Sequence, residues 1–160
     1  MKKISLAILL AVTVLFSGCH KIIDWRCVNL MIEVIDDQGH YLASPENKHL
    51  LEGTTIEFEG KVIPLELETA PVTRTLPPEY RDRFFVGETF PFGNCLVFGE
   101  LWGDDEYKDL PFKITWPDGS SDVITYTRKL NSANISAKEI WKLNGEECKN
   151  PVVIRKDFAE

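Results

Sequence analysis

The chain is poor in the residues that enzymes and metal sites gather. Among 160 residues there are three histidines and four cysteines, and none of them fall into a CxxC or HExxH pattern. Convergent zinc ligands are therefore not expected, and His40 and His49, which flank Glu46, lie at loop spacing. No G-x-S-x-G nucleophile signature is present, and with so few histidines a nucleophile has few candidate bases. Lys and Arg form no dense cluster; the nearest approach is Arg74, Arg81 and Arg83 within a proline-rich stretch, and the net charge is −7. Such a balance argues against a nucleic-acid partner, whose phosphates demand basic patches. There is no repeat of 20–50 residues and no long amphipathic helix pattern, which disfavours solenoids and propellers. After Phe16 no apolar run approaches the ~20 residues of a spanning helix.

One apolar run does exist, at the N-terminus. Lys2 and Lys3 precede an almost wholly apolar stretch from Ile4 to Phe16, followed by Ser17-Gly18-Cys19. The stretch is short for a membrane span and has the layout of a secretory signal. Small residues directly before a cysteine resemble the bacterial lipobox, although Phe16 stands where an aliphatic residue is usual. The reading is a cleaved leader at 1–18, a lipidated Cys19 beginning a tether at 19–27, and a single domain at 28–160. The implied address is the cell envelope, with the protein lipid-anchored to the outer membrane and the leaflet left open. Loss of the leader removes two lysines and no acid, so the mature chain is more negative still.

The rest reads as strand after strand. "VNLMIEVID" alternates Val28, Leu30, Ile32 and Val34 with Asn29, Met31, Glu33 and Ile35, and "DDQG" supplies a turn. "TTIEFE" and "KVIPLELE" flank Gly60 as a hairpin, with Pro64 marking an edge or a bulge. Residues 69–94 read as a long connection with one short strand at most. "CLVFGELW", "LPFKITW" and "SDVITYT" follow, the last two joined by Pro117-Asp118-Gly119, the firmest hairpin signal in the chain. Asn131 to Lys138 reads as a loop or a single helical turn. "EIWKLNGEE" carries the Asn-Gly pair preferred in tight hairpins, and "PVVIR" offers a last strand. About seven or eight strands at this spacing predict an all-β, antiparallel β-sandwich of immunoglobulin-like or transthyretin-like type.

Taken together, "VNLMIEVIDDQG", "LVFGELWGDDEY", "ITWPDGSSDVITY" and "WKLNGEEC" resemble a group of small uncharacterised lipoproteins of Bacteroides-type bacteria. That resemblance implies no activity and no site residue. More distantly, "IEVIDDQGHYL" resembles the first strand and turn of transthyretin-like or carboxypeptidase-regulatory-like β-sandwiches.

Three groups of residues are candidates for chemistry. The loop "GDDEYKD" places Asp104, Asp105, Glu106 and Asp109 close together; oxygen ligands of this kind can hold Ca²⁺, but the alternating order of a dedicated calcium loop is missing. A solvated acidic turn is the preferred reading, and no cofactor or metal is expected. Trp102 and Tyr107 border the same loop, and together with Asp104 and Asp105 they form a candidate ligand platform: rings to cover a sugar face, carboxylates to accept its hydroxyls. Trp25, Trp116 and Trp141 are read as core aromatics in the first instance. Finally Cys27, Cys95 and Cys148 remain outside the tethering thiol, and three cannot all pair; Cys95 with Cys148 is the preferred disulfide, since Cys27 adjoins the tether. The functional expectation is a non-enzymatic, lipid-anchored binding module for glycans or an envelope protein. The alternative is a structural subunit resembling lipoprotein-derived pilins, which assemble by strand addition.

Overall fold

The computed structural model describes residues 27–72, 76, 78–89, 92–131 and 136–158. The leader, Cys19, the tether through Trp25 and Arg26, and Arg74 lie outside the described residues. Ten strands run in chain order: β1 (Val28–Ile35), β2 (Thr55–Phe58), β3 (Lys61–Pro71), β4 (Phe84–Thr89), β5 (Gly93–Leu101), β6 (Tyr107–Thr115), β7 (Ser121–Asn131), β8 (Ser136–Leu143), β9 (Glu146–Cys148) and β10 (Val152–Arg155). They form one continuous sheet in the order β10-β1-β5-β4-β3-β2-β6-β7-β8-β9, rolled into a shape close to a barrel. All-β is right; the antiparallel sandwich of seven or eight strands is not. β1 pairs parallel with β10 and β3 parallel with β4, and β3 belongs to both halves of the sheet.

Alternation explains the inner face. Leu30, Ile32 and Val34 of β1 are buried while Asn29, Met31, Glu33 and Ile35 are half-exposed. The same period puts Phe112 and Ile114 of β6, Ile124 and Tyr126 of β7, and Trp141 of β8 into one core with Phe84 of β4 and Phe98 of β5. Rings stack there, with Tyr126 and Trp141 centroids 4.2 Å apart and Phe58 and Phe112 5.1 Å apart. Turn chemistry follows the sequence. Asn144-Gly145 between β8 and β9 both take positive φ, 52° and 91°, as a type I′ turn requires.

Pro64 predicts an edge or a bulged strand: β3 is no edge, since it lies inside the sheet, but its register with β4 does shift between Glu66 and Thr69. Pro64 is the last residue paired with β2, opposite Thr55, and from Leu65 onward β3 pairs with β4. The missing N–H therefore falls where the strand changes partner. Because β3 and β4 are parallel, the chain must cross a face of the sheet to return. Described residues of that crossover, Val72, Leu76 and Tyr80, pack with Phe85, Cys95 and Val97 as a second, smaller core on the outer face. β4 and β5 are thus covered on both sides. At Gly87 a Cβ would sit 2.5 Å from Val72 Cγ2 and from Val97 Cγ2, so the layer closes only over a glycine. Residues 69–94, read as a long connection with one short strand at most, hold that short strand as β4 and also the end of β3 and the start of β5. The stretch 131–138 read as a loop contributes strand pairing up to Asn131 opposite Ser136.

One buried polar cluster joins what the strands leave separate. Trp116 Nε1 donates to Asp122 Oδ2 at 2.6 Å, Asn144 Nδ2 donates to Asp122 Oδ1 at 2.8 Å, and Lys156 Nζ lies 2.9 Å from Asp122 Oδ2. The Lys156 ammonium also donates to Ser120 Oγ at 3.0 Å and sits 5.3 Å from the Trp116 ring centroid. Burial pushes the Asp122 carboxyl upward, but hydrogen bonds from Asn144, Lys156 and Trp116 outweigh it and hold the pKa below the ordinary aspartate value. A carboxylate with a depressed folded pKa stabilises the fold above its unfolded pKa and loses that contribution as pH falls through the folded value. Asp122→Asn is expected to lower stability by about 2–3 kcal/mol, because the Lys156 ammonium keeps its burial and loses its counter-charge. Urea melts measure this, and the variant should also lose part of the wild-type decline in stability below about pH 4. A variant as stable as the parent would show the cluster to be dispensable.

Candidate functional site

The loop between β5 and β6 starts where β5 leaves its partner, Leu101 opposite Val28. Its first residue, Trp102, is 52% exposed, whereas Trp116 and Trp141 are buried. The ring is not loose. The Arg81 guanidinium carbon lies 5.4 Å from its centroid, and Arg81 Nε is 2.8 Å from Glu100 Oε2. The Glu100 side chain is only 2% exposed, so a buried carboxylate orients the arginine that supports the tryptophan. Cys27 adjoins the same carboxylate; burial, and then Glu100, push its thiol above the ordinary value.

Of the four candidate platform residues, Trp102, Asp104 and Asp105 face water. Tyr107 is half-buried, its hydroxyl donating to the Trp102 carbonyl at 3.5 Å and its ring 5.7 Å from Tyr126. Burial and the nearby Asp105 raise its pKa. Tyr107 thus braces the loop rather than offering a second open ring. The acidic residues do not converge. Glu106 Oε1 accepts the Leu130 N–H at 2.8 Å, and Asp109, at φ 49°, donates its own N–H to Thr127 Oγ1 while its carboxylate accepts from the same hydroxyl. Among the described residues no three His, Cys, Asp or Glu side chains are placed to hold a metal ion.

Two further expectations change. The Cys95–Cys148 bridge is not formed: Cys27, Cys95 and Cys148 are free thiols. Cys95 belongs to the small outer core, while Cys148 packs against the main core from β9, so the sheet itself separates them. In the arginine-rich stretch the two described arginines are both paired. Arg81 is held by Glu100, and Arg83 forms a forked pair with Glu66 and lies 4.6 Å from the Tyr80 ring centroid.

The open positive surface lies elsewhere, and sequence reasoning missed it. A groove of about 520 Å³ on β6, β7 and β8 is lined by Lys108, Thr127, Lys129, Lys138, Ile140 and Lys142, with Glu106 and Asp109 at its loop end. None of these lysines forms an ion pair within 4 Å among the described residues, in contrast to Lys156. The available signal was the alternation Lys138, Ile140, Lys142, which places the three on one face of a strand. Compared with known proteins, the chain matches no family model, no curated protein and no solved structure.

Burial pushes the Cys95 thiol up to about 11. With the folded protein at neutral pH, Cys27 and Cys148 should be alkylated well before Cys95, which reacts only on unfolding. Peptide mapping without reductant should find no Cys95–Cys148 linkage; finding one would overturn the separation of the two cores.

Proposed function

We infer that this is a non-enzymatic cell-envelope lipoprotein that binds glycans at the Trp102 loop. The observation that carries the reading is the half-exposed Trp102 ring, held in place by Arg81 and the buried Glu100. A fixed indole offers a large flat apolar face at little ordering cost, which suits the C–H face of a sugar ring. Asp104 and Asp105 beside it are exposed acceptors for sugar hydroxyls. The address rests on the leader and on Cys19 as the acylated residue. Val28, the first strand residue, pairs with Leu101. The tether therefore enters at the Trp102 end, and at ~3.3 Å per residue its eight residues after Cys19 reach at most ~25 Å. Envelope glycans close to the anchoring membrane are the ligands to try first. The runner-up reading, assembly by strand addition, draws less support. The sheet does end in two edge strands, β9 and β10, but they are three and four residues long.

Two experiments test this. In a bacterial host that acylates lipoproteins, Cys19→Ser should move the protein from the membrane to the soluble fraction; continued membrane retention would refute the anchor. In a thermal-shift screen against bacterial, host and dietary glycans, a ligand at 100 times its Kd should add about 2.7 kcal/mol of stability. The shift should vanish in Trp102→Ala, whose own melting temperature should stay near the parent's. A screen in which no glycan moves the melting temperature would remove the glycan reading and direct attention to a protein partner.

A further inference from the structure

We propose that the outer face of β6, β7 and β8 is a second binding groove, built for a single-chain acidic polysaccharide bearing carboxylate or sulfate groups. It does not depend on the Trp102 reading, since it uses a different face and different chemistry.

The first argument is a local rule that the fold breaks. Lys129 of β7 and Lys138 of β8 are direct cross-strand partners. Like charges placed opposite one another on a sheet destabilise the pair, and here no carboxylate among the described residues comes within 4 Å of either. Lys142 lies on the same strand between Thr125 of β7 and Glu147 of β9, with no carboxylate within 4 Å among the described residues, and Lys108 flanks the groove from β6. Arg81, Arg83, Arg128 and Lys156 each have an acidic partner, and lysines such as Lys61 and Lys113 stand without one, but among the described strand pairs only Lys129 and Lys138 set two lysines directly opposite each other. Four lysines left open on one face, in a chain of net charge −7, are a feature that folding alone does not require. An anionic ligand offsets their mutual repulsion.

The shape and the surroundings select the kind of anion. Lys138 and Lys142 are four strand residues apart, roughly 13 Å along β8, which suits charges repeated along an oligosaccharide. Between them Ile140 gives an apolar floor, and the Thr127 hydroxyl lies opposite it. Glu106 and Asp109 at the loop end accept hydrogen bonds from donors, which sugar hydroxyls supply and phosphate diesters do not. A duplex or a lipid surface is broad and would bring its charge against the rest of an acidic protein. A single polysaccharide chain touches the groove alone. Among the residues lining the groove the one aromatic is Tyr107, half-buried with its ring 5.7 Å from Tyr126, whereas single-stranded nucleic acid uses successive open rings.

The test compares polygalacturonate oligomers, dextran sulfate and neutral dextran by calorimetry on the purified protein. The parent should bind the two acidic polymers and not dextran, and binding should fade at ~1 M salt, where the Debye length falls to ~3 Å. Lys129→Glu with Lys138→Glu should weaken binding by about tenfold or more, while Lys129→Arg with Lys138→Arg retains it. Lys129→Gln with Lys138→Gln, which removes the repulsion where the Glu pair only reverses its sign, should melt no lower than the parent while also losing affinity, which separates lost binding from lost folding. Trp102→Ala should bind the acidic polymers as the parent does, so failure of one site is distinguishable from failure of the other. Equal affinity in the Glu pair, or tighter binding to duplex DNA or to phosphatidylglycerol vesicles than to the acidic polysaccharides, would overturn the proposal.

Discussion

Asp122 accepts hydrogen bonds from the end of β6, from the β8–β9 turn and from the segment after β10, three pieces of chain that no single strand pairing brings together. β10 reaches the sheet only through its parallel pairing with β1, at the far end of the strand order from β6 and β7. Besides the Asp122–Lys156 contact, that seam is held by the Lys156 to Ser120 hydrogen bond, by the Lys156 ammonium over Trp116 and by Phe158 against Trp116 at a centroid distance of 6.1 Å. A buried carboxylate is costly when unpaired. Here three donors offset that cost and make the meeting of those segments specific. At the opposite end Asn150 plays a similar part, accepting the Met31 N–H at 3.0 Å and donating to the Asn29 carbonyl at 2.8 Å.

A second constraint follows from Pro64. Where β3 leaves β2 and pairs with β4, it joins an antiparallel half and a mixed half into one sheet, and the parallel pairing obliges the chain to cross the outer face. That crossover supplies both the small outer core and Arg81. The support of Trp102 is therefore a consequence of topology: an arginine from a crossover segment and a glutamate from β5 meet under a loop that neither belongs to.

Charge distribution separates the two candidate surfaces. Around Trp102 Arg81 is paired with Glu100 and the exposed groups are aromatic or acidic, which suits the neutral, hydroxyl-rich ligand proposed for it. On β6–β8 the cations are open and the carboxylates are engaged at the rim. Both surfaces share the Trp102–Asp109 loop, so a chain bound along one would lie next to the other, on the end of the domain where β1 begins at Val28 opposite Leu101.

The strands β1, β2, β6 and β7, the Asp118-Gly119 and Asn144-Gly145 turns and the shared face of Leu30, Ile32 and Val34 were legible in the sequence. They rest on period-2 alternation and on turn residues, which are local properties of neighbouring amino acids. The exposed Trp102 was legible only as a candidate, because an aromatic at a strand end is compatible with core and with surface. Strand order, the parallel pairs, the separation of Cys95 from Cys148, the burial of Glu100 under Arg81 and the meeting of Lys129 with Lys138 were decided by the tertiary structure alone. Each depends on which strands lie side by side, and that is set by long-range packing among residues tens of positions apart, which no local pattern records.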